Sequence, residues 1–124
     1  LDPKDILLVA LGGAIGAVLR YLVASWIPNE AFPWGTLSVN LIGSFFLGCL
    51  ACAVTIYGVM SDDMMLLLGV GILGAFTTLS TYSVDTINMF ESEMWGQLFA
   101  YIFSTAIIGP LLAYGGWKIT HAIL

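Results

Sequence analysis

Positive charge is almost missing from this sequence. Three basic residues, Lys4, Arg20 and Lys118, stand against eight acids. No basic patch exists to meet a phosphate backbone, so nucleic acid is excluded as a partner. Charge of either sign is scarce: 9% of the 124 residues are charged and 60% are hydrophobic, whereas about a quarter of a soluble domain is charged. A globule of this size could not cover itself with polar surface, which excludes an ordinary soluble enzyme and a disordered tail. Metal-binding side chains are few as well. His121 stands alone near the C-terminus, and Cys49 and Cys52, although spaced as CxxC, sit in an apolar run with no histidine or acid nearby. No metal or redox centre is expected from them. Nor is there a nucleophile–base pair, a phosphate loop or a dinucleotide fingerprint, so an enzyme is not expected.

What the chain does contain is long uncharged stretches. No residue is charged from Ile6 to Leu19, from Ala31 to Ser61, from Met64 to Val84 or from Met94 to Trp117. A helix crosses a bilayer with about 20 mostly apolar residues. The sequence therefore predicts four spans, Ile6–Trp26, Trp34–Tyr57, Met64–Asn88 and Trp95–Ala122, in a single transmembrane domain. Pro28, Asn29, Glu30 and Pro33 break the first gap, Gly58 to Asp63 the second and Asn88 to Glu93 the third. Trp26, Trp34, Tyr57, Trp95 and Trp117 fall near span ends, as an interfacial belt requires. The first run has no basic head and reads as a span rather than a leader. Lys4 and Lys118 lie on one side and Arg20 toward the other. Loop cations set orientation, and two against one is a weak bias that leaves open both a single orientation and a dual one.

Polar residues at membrane depth are costly and usually functional. They concentrate in the third span, where Gly69, Gly71 and Gly74 precede Thr77, Thr78, Ser80, Thr81 and Ser83. Glycine weakens a helix by about 1 kcal/mol relative to alanine, and hydroxyls compete for backbone hydrogen bonds. A break is expected near Gly74–Thr78, with carbonyls and amides that must face protein, water or an ion. The alternative is an unbroken helix whose hydroxyls bond back to the preceding turn. Asn40 lies mid-span, four residues after Thr36 and on its face. Its amide is either a neutral donor for an anion or interhelical glue. Arg20 is expected to snorkel to the headgroups, or to draw anions to a vestibule. Asp85, beyond Tyr82, is of ambiguous depth. Pro110 should free the carbonyl of Ala106 and kink the fourth span, and Ser104 and Thr105 either satisfy that carbonyl or line a pathway. Small residues at helical spacing, Gly12 with Gly16, Ser44 with Gly48 and Cys52, and Gly109 with Ala113, permit close helix contact.

Three of these segments are familiar in combination. Gly12-Gly13-Ala14-Ile15-Gly16 with Arg20-Tyr21, then Gly35 to Asn40 with Gly43, then Gly74-Ala75-Phe76-Thr77-Thr78-Leu79-Ser80-Thr81-Tyr82-Ser83 resemble the CrcB/Fluc family of fluoride channels, in the expected order and over nearly the whole chain. The resemblance implies an all-α membrane protein of four transmembrane helices, the third broken, assembled as a dual-topology antiparallel dimer. It implies passive, selective export of fluoride through narrow pores at the dimer interface, in a bacterial or archaeal plasma membrane. Asn40 would donate to the ion, and Thr36, Leu79, Ser80, Thr81 and Tyr82 would line the pore. The carbonyls of Gly74 and Thr77 would hold a structural Na+ at the dimer centre, and Arg20 would sit in a vestibule. The family usually carries two phenylalanines where this chain has Leu79 and Tyr82. That departure implies an altered pore, or one half of a heterodimer whose paralogous partner supplies the rings. Two other readings stand beside it: a non-conducting structural subunit, and a small multidrug-resistance type exporter. The latter uses a buried acid in its first helix, which Ile6–Leu19 lacks.

Overall fold

The computed structural model describes residues 1–28 and 31–124; of the residues expected to end the first span, Asn29 and Glu30 lie outside the described residues. The structure described is helical, with four segments long and apolar enough to cross a membrane. Helix α1 is Pro3–Trp26 and α2 is Trp34–Thr55. The third span, Asp62–Glu91, is two helices end to end: α3 covers residues 62–76 and α4 is Leu79–Glu91. The fourth, α5, is Trp95–Ile123.

Local chemistry accounts for the ends. Asp2 caps α1, its side chain accepting from the Lys4 amide at 2.9 Å, with Pro3 in the first turn, where a missing N–H costs nothing. Ser61 caps α3 by accepting from the Met64 amide at 3.2 Å. Helix α2 stops two residues before Tyr57. Gly58 adopts φ +58°, its amide reaches Val54 O at 3.1 Å, and the Val59 amide reaches Ala53 O at 3.3 Å. The two nested bonds occupy carbonyls at the end of α2, and the left-handed angle is one that glycine adopts without strain.

Packing rests on glycine. A Cβ on Gly12 would run into Leu67 O, and one on Gly16 into Ile72 O, so α1 lies backbone-on-backbone against α3. A Cβ on Gly48 would strike Ala113 O and one on Gly116 would strike Phe45 O, so α2 and α5 meet in the same way. Small residues permit such approach in lipid, where burial of apolar surface gives helices no net drive to associate. The glycines of the third span belong to this pattern. Gly71 lies against Gly12, and Gly74 keeps helical angles (φ −61°, ψ −41°). They do not break the helix. A separate cluster, Leu37, Met89, Leu98 and Tyr101, ties α2, α4 and α5 together. Most other large apolar side chains face outward, as lipid contact requires.

Two stretches are wound more loosely than an α-helix. Residues Leu66–Leu73 and Ser104–Ile108 are π-helical. The second ends immediately before Gly109 and Pro110, and its widening passes the Gly109 amide to Ser104 O. The disturbance expected at Pro110 therefore takes the form of a wide turn, a local adjustment by which membrane helices accommodate proline.

Candidate functional site

The break lies at Thr77 and Thr78. Both are extended (φ −86°, ψ 156°; φ −149°, ψ 120°), and α4 restarts at Leu79. The run of hydroxyls sets this position. Thr77 Oγ1 donates back to Leu73 O at 3.0 Å, finishing α3. Thr78 then caps α4: its Oγ1 accepts from the Thr81 amide at 3.2 Å and lies 3.1 Å from Ser80 Oγ and 3.3 Å from Thr81 Oγ1. Threonine is a good N-cap for this reason. Farther along, Ser83 Oγ donates to Leu79 O at 2.8 Å, so hydroxyls do bond back to the preceding turn, but only on either side of the gap.

Side chains from other helices clamp the two ends. Asn40 of α2 pairs with the backbone of Thr78 in both senses: the Thr78 amide donates to Oδ1 at 2.8 Å, and Nδ2 donates to Thr78 O at 3.1 Å. The glue reading of Asn40 therefore holds, and one Nδ2 hydrogen is left over. From α1, Arg20 Nε donates to Ala75 O at 3.1 Å, in the last turn of α3. The Arg20 side chain, expected either to snorkel or to serve a vestibule, is thus tied at Nε to a helix-end carbonyl of another span. Gly43 leaves room for the Thr77 methyl, which a Cβ there would strike.

Beside the break is an open cavity of about 280 Å³. Asn40, Leu79 and Tyr82, expected in a pore lining, and Thr77, expected as a Na+ ligand, line it; Ser44, Leu47, Thr78 and Thr105 complete the wall, and none of these residues is charged. Ser80 and Thr81 are linked to the wall through the Thr78 hydroxyl. Thr36 is buried elsewhere, with 5% exposure, and Arg20 and Gly74 are not in the lining. Leu79 is 75% exposed in the single chain, whereas the Tyr82 ring packs 4.9 Å from that of Tyr101. Thr105 is the residue that sequence left undecided. It lies in the wide turn of α5, and its Oγ1 is buried with no hydrogen-bond partner among the described residues. Most buried hydroxyls find a partner, so this one stands out.

A second recess, about 310 Å³ and more polar, is lined by Asp85, Asn88 and Ser92 with Pro33 and Met94. There the Asp85 carboxylate is half-buried, and its Oδ2 accepts from the Tyr101 hydroxyl at 3.0 Å. Among the described residues no cluster of three histidines, cysteines or acids exists that would hold a metal. Oxygen donors are nevertheless present at the break, where the carbonyls of Gly74 and Thr77 accept no hydrogen bond among the described residues.

The family described as CrcB-like protein, Camphor Resistance (CrcB), matches residues 7–117. The fluoride-specific ion channel FluC of Thermus thermophilus is 40% identical over 121 residues, covering 95% of this chain and 94% of that protein. Fluoride-specific ion channel FluC 1 of Methanosarcina acetivorans is 44% identical over 113 residues, covering 90% and 86%. FluC of Magnetococcus marinus is 45% identical over 119 residues, covering 93% and 96%. The match runs through all four spans, the break and both clamping residues, and this multi-pass protein of the cell membrane belongs to the CrcB family.

Proposed function

We propose that this chain conducts fluoride passively and selectively out of the cytoplasm, through a pore that passes the break of the third span. The observation that carries the reading is the cavity beside Thr77–Thr78, walled by amide and hydroxyl groups and free of charged side chains. Fluoride is small and strongly hydrated, and moving a bare ion into an apolar medium costs tens of kcal/mol. A pore has to replace that hydration with fixed donors. The spare Nδ2 hydrogen of Asn40 and the unpartnered Thr105 hydroxyl are such donors. Both are neutral, so they hold the ion without trapping it as a buried lysine would.

The cavity is open on one side of the single chain. A second copy, or a paralogous subunit, inserted in the opposite sense would close it and make the pore an intersubunit seam. Leu79 and Ser80, exposed in the single chain, would then face that seam together with Thr81 and Tyr82, whereas Thr36, buried within the chain, would not. Arg20 would stand near the entrance. The donor set at the break suits Na+: carbonyls of an interrupted span are its usual ligands in membrane proteins. Gly74 and Thr77 supply two from each chain, and their free acceptor state fits the role. Bound there, the ion would add fixed positive potential beside the anion path. The names of the relatives agree with a channel.

The test is fluoride-electrode efflux from liposomes holding the purified protein. The parent should release fluoride rapidly without a proton gradient. Asn40→Asp places a carboxylate where Thr78 O and a passing anion both need a donor, and should slow release by about a hundredfold or more, a few kcal/mol from one reversed hydrogen bond to a charged group. Efflux by Asn40→Asp at the parental rate would remove Asn40 from the pathway, and a silent parent would remove the function.

A further inference from the structure

We propose that Arg20 is a positioning residue for the break, pinning the last turn of α3 to α1. Gly12, Gly16 and Arg20 are four residues apart and share one face of α1. The first two bring the helices into backbone contact, at Leu67 O, Gly71 and Ile72 O. The next position on that stripe has nowhere to go but along α3, and there the guanidinium meets Ala75 O.

A helix leaves its last four carbonyls without internal donors. In α3, Leu73 O is taken by the Thr77 amide at 3.2 Å and the Thr77 hydroxyl at 3.0 Å, and Ala75 O by Arg20. Gly74 O and Thr77 O receive no donor among the described residues. Successive residues of a helix sit about 100° apart around its axis, so with Ala75 O on the flank that meets Arg20, Gly74 O lies on a different flank of α3. The guanidinium is permanently charged, and it sits at the negative end of the α3 dipole. Arg20 makes no ion pair among the described residues, so this carbonyl is the identified partner that draws a costly charge inward. Resting on the reading above, the consequence is that Arg20 sets where the free carbonyls of the break stand, and offsets a negative helix end that would otherwise face the anion.

The test compares the parent with Arg20→Lys and Arg20→Gln in two measurements. The first is amide hydrogen exchange at Thr77 and Thr78, with Cys49 and Cys52, on the α2–α5 contact, as reference. Arg20→Gln should speed exchange at Thr77 and Thr78 by about tenfold to a hundredfold, the equivalent of one hydrogen bond from a charged group, with the reference amides unchanged. Arg20→Lys keeps one charged donor and should fall between. The second is liposome efflux across a range of sodium concentrations. Arg20→Gln should need more sodium to reach its maximal rate, and Arg20→Lys should recover part of the difference. Unchanged exchange at the break, equal acceleration at the reference amides, or a lysine variant no better than glutamine would each overturn the proposal. Loss of fluoride release in every variant, parent included, would overturn the function while the exchange pattern still decides the place of Arg20.

Discussion

The cavity has two irregular walls, and they differ in how completely they are closed. The break at Thr77–Thr78 is held from three sides. Asn40 binds both backbone groups of Thr78, Arg20 binds Ala75 O, and the hydroxyls of Thr77 and Thr78 finish one helix and start the next. The wide turn at Ser104–Ile108 packs against α2 but receives no side-chain hydrogen bond among the described residues, and Thr105 Oγ1 is left buried and unpartnered there. A chain that can satisfy a full interruption of a transmembrane helix is able to satisfy one hydroxyl. The contrast separates groups committed to structure from a hydroxyl that has no partner among the described residues.

Glycine sharpens the contrast. Gly43 faces the break, and a Cβ there meets the Thr77 methyl. Thr77 cannot rotate aside without losing its 3.0 Å bond to Leu73 O. Gly43→Ala should therefore destabilise the protein by about 1–3 kcal/mol, as overpacking does, and lower fluoride efflux with it. Thermal unfolding in detergent measures the first effect. A variant as stable as the parent would mean that the break is looser than its contacts indicate. Gly109 borders the wide turn, where a Cβ would meet only Ser44 Oγ at 3.8 Å. Gly109→Ala should be neutral or more stable, by up to about 1 kcal/mol from helix propensity. A loss of stability there would erase the distinction between the two walls.

Much of this was legible in the sequence, and the illegible part has a common cause. Uncharged gaps bounded by Pro, Gly and acids mark the four spans because bilayer thickness fixes their length. The density of Thr and Ser marks the break because hydroxyls offer the backbone an alternative partner. Assigning the interruption to glycine as well was wrong: Gly69, Gly71 and Gly74 lie in helical backbone, and Gly71 is small because α1 rests on it. Arg20 was read from position along one helix, whereas its partner is 55 residues away. Sequence alone does not decide between two roles for Asn40, because its partner is 38 residues away. Periodicity speaks of faces and lengths; pairings across helices come from the packing. The wide turn of α5 had only Pro110 as a signal, and the proline does not say which hydroxyl nearby will be left without a partner.

The central claim is that unclosed neutral donors, rather than the clamped ones, carry the ion. Thr105→Val tests it most directly, because it removes one hydroxyl and keeps the shape of the side chain. Fluoride efflux and thermal unfolding should be measured on the same preparation. The account predicts unchanged or raised stability, since an unpartnered buried hydroxyl costs about 1–3 kcal/mol, together with fluoride efflux slowed at least tenfold. Parental efflux from Thr105→Val, or a stability loss that accounts for the whole decrease, would contradict it.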